Sequence, residues 1–181
     1  IVTGLGTGNI GVSVTDANLC TTTANDSIGT YVPPVDVCIV TVDSSNTKNL
    51  VVWEKPFGNY IDSYRVYREI IGTYTYIGSV DYLDLSKFVD NTNGVNPQIT
   101  SYKYKISVMD NCGNESVMSS YHKTIHLQTI FQSGEVDLSW DNYDGFGTSF
   151  FYRILRDSTG TGNWQVLDSV SYGNTQYTDI N

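Results

Sequence analysis

The chain has 181 residues, with ten Lys and Arg against nineteen Asp and Glu and a net charge of −9; that balance repels phosphate backbones and argues against a nucleic-acid partner. Tyr, Thr, Val, Ile and Gly are plentiful while Ala, Leu and Glu are scarce, so the expected class is all-β. No apolar run approaches the roughly 20 residues of a membrane-spanning helix, and no membrane insertion is expected within this segment. The chain opens at Ile1 without Met or leader and reads as a mature or excised piece. Gly4-Leu5-Gly6-Thr7-Gly8 has the glycines of a phosphate cradle, but no Lys-Ser/Thr follows and no helix opens, so it reads as a turn. Residues 9–16 alternate as a strand with Val12 and Val14 on one face. Tyr31-Val32-Pro33-Pro34 reads as a linker that the paired Pro stiffens. Strands are then expected at residues 49–54 (Val51 and Trp53 inward), 63–70, 74–80, 87–91 and 100–109. In the last of these Tyr102, Tyr104, Ile106 and Val108 share one face. A final strand over residues 116–127 closes the unit. Asn, Asp, Gly and Pro cluster at residues 56–59, 90–97 and 110–114, where turns are expected.

The pattern then repeats. Val51 and Trp53 match Leu138 and Trp140; Tyr64-Arg65-Val66 matches Tyr152-Arg153-Ile154; Gly78-Ser79-Val80 matches Asp168-Ser169-Val170; Phe88-Val89-Asp90 matches Tyr177-Thr178-Asp179. A single period of about 90 residues explains all four pairs. About seven short strands per unit make a β-sandwich, so the expected architecture is tandem sandwiches. The second copy starts near Leu127 and contains no counterpart of residues 102–109 or 116–125. It is expected to be completed by further chain or by strands of a partner, since a sandwich short of two strands exposes sheet edge and core.

Trp53, the Ser-Tyr-Arg-Val-Tyr-Arg phrase at residues 63–68 and the closing phrase over residues 102–116 resemble a fibronectin type III domain. That resemblance makes Tyr102 or Tyr104 the tyrosine whose ring packs the core and whose hydroxyl ties a corner. The Asp-Asn-Cys-Gly-Asn-Glu-Ser phrase from Asp110 is similar to the fibronectin-like repeats of secreted Bacteroidetes proteins. Residues 14–22 resemble the final strands of immunoglobulin-like (PKD-like) adhesin repeats, with Leu19 where those repeats carry Gly. The implied division is residues 1–31, the end of an immunoglobulin-like repeat; 32–126, a fibronectin type III-like sandwich; and 127–181, a second and incomplete one. In such a sandwich the start of the first strand and the last hairpin lie at one end, which implies a Cys38–Cys112 disulfide and an oxidising exterior. The alternative is a pair of buried thiols. Cys20 is left over, with its partner expected upstream of Ile1. The Bacteroidetes resemblance would also make Asp26-Ser27-Ile28, Asp157-Ser158-Thr159 and Asp168-Ser169-Val170 sites of O-glycosylation.

Little in the sequence carries chemistry. His122 and His126 have a metal-binding spacing for a helix, but on a strand four residues span about 13 Å, so they read as surface or linker histidines. There is no Gly-x-Ser-x-Gly phrase and no Cys placed with a His and a carboxylate; no catalytic residue and no cofactor is expected. Asp141 and Asp144 are the calcium candidates, read as turn formers. Phe57, Tyr60, Tyr143 and Phe146, in or beside the loops after the Trp strands, are candidate ligand-surface aromatics for a protein or glycan.

What the resemblance implies is a non-catalytic adhesive or structural segment of a large secreted protein at a bacterial cell surface. Export by the type IX secretion system and a role in adhesion or gliding belong to that implication, as do neighbouring domains of the same chain as partners. The alternatives are a spacer or carbohydrate-binding accessory module of a secreted hydrolase, and a subunit of a surface assembly.

Overall fold

The computed structural model describes residues 8–28, 31–58 and 60–180. Every regular element among them is a strand, as the β-branched and aromatic composition leads one to expect. Residues 4–7 of the glycine-rich stretch and Asn59 of the first turn lie outside the described residues.

Strands β1 (Gly8–Thr15) and β2 (Thr21–Ile28) form an antiparallel hairpin. Its residues 8–26 are exposed, Ile10, Val12 and Val14 included. The carboxylate of Asp16 builds the turn by accepting the N–H groups of Asn18 and Cys20. Leu19 takes a left-handed conformation there, φ 67°, which Gly adopts freely and Leu only at a cost. The polar β2 has no apolar alternation; the turn and the ladder to β1 make it a strand.

The first sandwich has two sheets. One is β3 (Val37–Val42), β4 (Asn49–Trp53) and β7 (Lys87–Asp90), in the order β3-β4-β7. The other is β5 (Ile61–Ile70), β6 (Thr73–Asp81), β8 (Lys103–Asp110) and the two-residue β9 (His122–Lys123), in the order β6-β5-β8-β9. The inward faces follow the alternation of the sequence: Val51 and Trp53 meet Tyr64, Val66, Tyr104, Ile106 and Val108 in one buried cluster.

A continuous strand over residues 116–127 does not form. Only His122 and Lys123 of this segment pair with β8 in a ladder. The reason lies in two serines. Ser116 and Ser119 lend their hydroxyls to the N–H groups of Val108 and Ile106, at 2.9 and 3.0 Å. Their own N–H groups bond the carbonyls of the same two residues. The edge of β8 is thereby satisfied without a regular neighbour.

The second unit repeats the first five strands of the first. Its strands are β10 (Leu127–Gln132), β11 (Glu135–Trp140), β12 (Phe151–Arg156), β13 (Gln165–Ser171) and β14 (Gln176–Ile180). The order β10-β11-β14 copies β3-β4-β7, and β12-β13 copies β5-β6. Even an irregularity recurs: the register slips between Val66 and Tyr67 in one hairpin and between Ile154 and Leu155 in the other. Among the described residues nothing stands beside β12 where β8 stands beside β5.

The β5–β6 hairpin turns on Ile71 and Gly72, with φ of 48° and 78°. A two-residue turn of this kind strongly favours Asn-Gly, and a β-branched residue at positive φ is strained. Ile71 is fully exposed, so no packing offsets the strain. Ile71→Asn is therefore expected to stabilise the sandwich by roughly 1 kcal/mol, seen as a higher urea midpoint; an unchanged or lower midpoint refutes the strain.

Candidate functional site

The residues singled out in the sequence fall into two places. Phe57 and Tyr60 lie between β4 and β5, at the end of the first sandwich where Ile61 pairs with Asp110. Phe57 is fully exposed and Tyr60 partly so. Tyr143 and Phe146 occupy the equivalent stretch of the second unit, between β11 and β12, and meet a different fate. That loop docks on the first sandwich at the opposite end, beside β9. Tyr143 is only 5% exposed, an interior group at the junction that still lines the cleft there. Phe146 stacks on it with ring centres 4.5 Å apart and stays half-exposed.

The histidines are likewise not on the surface. His122 and His126 are 6% and 9% exposed. His122 belongs to β9 and His126 to the stretch between β9 and β10, so the reading of either as a surface residue is corrected. Burial follows from what covers them. The His122 ring meets Tyr143 and Phe146 edge to face. The backbone of Gly145 passes so close that a Cβ there would overlap the imidazole. His126 Nε2 donates to the Gln98 carbonyl at 3.0 Å.

A chain of hydrogen bonds crosses the junction. The N–H of Val40 in β3 donates to the Tyr143 hydroxyl at 3.0 Å, and that hydroxyl lies 2.8 Å from His122 Nδ1. Lys123 N–H donates to the Asp144 carbonyl at 2.9 Å, and Asp141 N–H to the His126 carbonyl at 3.2 Å. Thr124 is tied back to Tyr102 through both its N–H and its hydroxyl. Burial pushes the Tyr143 phenol up to about 12 and holds the His122 imidazole below its usual range. One continuous apolar cluster runs from Trp53 and Tyr104 through Tyr143 to Trp140, Tyr152 and Ile154.

Asp141 and Asp144 serve this junction. The Asp141 carboxylate lies 4.0 Å from Lys123 Nζ, and Asp144 contributes its main chain. Among the described residues no three His, Cys, Asp or Glu gather as a metal would require. The Cys38–Cys112 bridge is not formed: Cys20, Cys38 and Cys112 are all free thiols. Val37 pairs with Trp53, and Ile61 with Asp110, so both cysteines lie toward one end, but on different sheets. Cys38 is the residue skipped where the β3–β4 register slips, with its thiol pushed up by burial and then by Glu54. Cys112 rides on an exposed turn that the Asp110 carboxylate organises.

The tyrosine of the resemblance divides into two. Tyr104 packs the core, with its hydroxyl donating to Asp90 at 2.9 Å and accepting from Asn49 at 2.8 Å. Tyr102 ties the corner, accepting from Asn96 N–H and donating to the Gly94 carbonyl. Glu115 of the Asp-Asn-Cys-Gly-Asn-Glu-Ser phrase reads in the sequence as a turn former and does more than that. Its carboxylate gathers Arg65, Tyr67 and Ser107 on the outer face of the sheet.

A cleft of about 630 Å³ opens at the junction, between Ile39 to Val42 of β3 and Phe150 to Arg153. A smaller one of about 250 Å³ continues along β12 over Leu138, Trp140 and Ile154. Together they follow the free edge of β12. In the first sandwich the corresponding edge of β5 is covered by β8.

No protein-family model and no curated protein matches the chain. Among solved structures it is similar to a Fn3-like protein from Clostridium thermocellum, at 24% identity over 50% of this chain and 88% of that one, TM-score 0.37. It is also similar to the FN1–FN3 domains of chicken CNTN1, at 14% identity over 93% of this chain and 65% of that one, TM-score 0.40. A third is the structure titled FN3tt mut, at 19% identity over 51% of this chain and 93% of that one, TM-score 0.34.

Proposed function

We propose that the chain is a non-catalytic structural spacer of an extracellular surface protein, a stiff pair of sandwiches that holds a distal part at a set distance and angle. The observation that carries this reading is the junction. Tandem domains joined by a bare linker move independently by default. Here His122, Thr124 and His126 are buried, main-chain bonds reach both units, and the apolar cluster is continuous between them. A role in adhesion, in gliding or as a type IX secretion substrate extends this reading by resemblance alone.

The test is an antibody raised to residues 34–126. The expected result is label on the surface of intact producing cells, on a polypeptide much longer than the 181 residues. Label confined to the medium, on a chain with hydrolytic activity, would make the pair an accessory spacer of an enzyme instead.

A further inference from the structure

The Val40–Tyr143–His122 chain has a direction. Val40 N–H donates to the Tyr143 oxygen, and among the described residues the acceptor within reach of the hydroxyl proton is His122 Nδ1, so the arrangement that satisfies the hydroxyl points its proton there. Nδ1 therefore presents a lone pair, and the single ring proton sits on Nε2. We propose that His122 is a pH-sensitive latch on the angle between the two sandwiches, in which the neutral imidazole holds the second against the first and the imidazolium releases it.

A proton arriving at Nδ1 turns that acceptor into a donor. The Tyr143 oxygen then faces two donors, and its own hydrogen loses its acceptor; among the described residues this hydroxyl has no third partner. The new charge also lies in a ring-lined enclosure between Tyr143, Phe146 and the Gly145 backbone. His126 has a different partner. Its Nε2 donates to the Gln98 carbonyl in either protonation state.

The charged and titratable surroundings come from four elements. Before β3 lies Asp36, whose charge favours the imidazolium but is outweighed by burial. In β3 Cys38 neighbours Tyr143. In β8 Tyr104 and Lys103 stand opposite His122 and Lys123 in the ladder. The docking loop brings Asp141 to Lys123 and the main chain of Asp144 to the same residue. The closed junction thus binds the proton less well than an open one, in which the imidazole regains its ordinary 6.5. Opening takes up a proton. Closure is fully favourable above about 6.5 and weakens progressively as pH falls below it. Ordinary carboxylates titrate near 4, so a descent to about pH 5.5 confines the change to imidazoles, and substitution of His122 alone separates it from His126.

The latch rests on the reading of the pair as a stiff spacer, and one experiment separates the two. Spin labels are placed on exposed Cys112 and on Ser158→Cys of the 181-residue chain, with Cys20 and Cys38 changed to Ser. The distance distribution is recorded from about pH 7.5 to about pH 5.5. We expect one narrow distance at the upper end that broadens as pH falls. In His122→Asn the amide oxygen replaces Nδ1 as a non-titrating acceptor, and the distribution stays narrow throughout. A broad distribution already at the upper end sinks the stiff spacer. A distribution narrow at every pH sinks the latch alone, and so does equal broadening in His122→Asn. The ring-proton shifts of His122 in the unsubstituted chain provide a measure independent of that variant. Their midpoint should coincide with the broadening, and a titration that leaves the distance unmoved overturns the latch.

Discussion

Asp90→Ala lowers the stability of the first sandwich by about 3–5 kcal/mol, whereas the equivalent Asp179→Ala costs the second unit roughly 1 kcal/mol. The repeat supplies its own control, because Arg68–Asp90 recurs as Arg156–Asp179. The two pairs differ in surroundings. Asp90 is fully buried and its carboxylate takes Arg68 at 2.6 Å, Tyr104 at 2.9 Å, and both the N–H and hydroxyl of Thr92. Removing it strands the buried Arg68 guanidinium with Thr92 Oγ1 at 2.7 Å and the face of Tyr102. That is a buried charge without a counter-charge, the costly half of a broken pair. In the second unit Asp179 is 13% exposed but the Arg156 side chain is 37% exposed and no β8 brings a tyrosine, so water replaces part of what the carboxylate gave. Hydrogen exchange reads each unit separately through the amides of β8 and β11. Equal losses of protection would show that burial is not what sets the difference.

What the sequence displayed follows from what periodicity records. Alternation is a statement about which side chains face a core. The inward face of β8 and the Val51–Trp53 pair were therefore readable from residue spacing, and β11 to β14 from phrases matched to the first copy. The recurrence of the register slip at Val66 and Ile154 shows how closely matched phrases give matched backbones. Periodicity says nothing of contacts made between units, and the junction is built from those. Tyr143 and Phe146 look like loop aromatics, and His122 and His126 like a polar linker, until the loop after β11 is laid against β9. The serines at 116 and 119 hide a different signal. In sequence they prolong a strand; in the structure their hydroxyls do the pairing that a strand would have done. The disulfide inferred for Cys38 and Cys112 rested on nearness to one end, which does not put two thiols on facing positions.

Trp53→Ala is expected to cost about 3–5 kcal/mol, the range for removing a large aromatic from a closed core. Trp53 is 1% exposed, with Tyr64 at 5.2 Å between ring centres and Ile106 and Val108 of β8 in the same cluster. Its loss leaves a cavity walled on every side. Trp140 holds the same place in the second unit, with Tyr152 at 5.5 Å. It also lines the cleft along the free edge of β12, so its loss enlarges a space that water already reaches. Trp140→Ala is therefore expected to cost roughly half as much. Exchange protection of β4 and β11 in the two variants gives the comparison. Equal penalties would mean that Trp140 is enclosed in solution as tightly as Trp53. Something would then have to lie against β12 as β8 lies against β5, and the dependence of the Trp140 penalty on protein concentration would say whether it comes from a second copy.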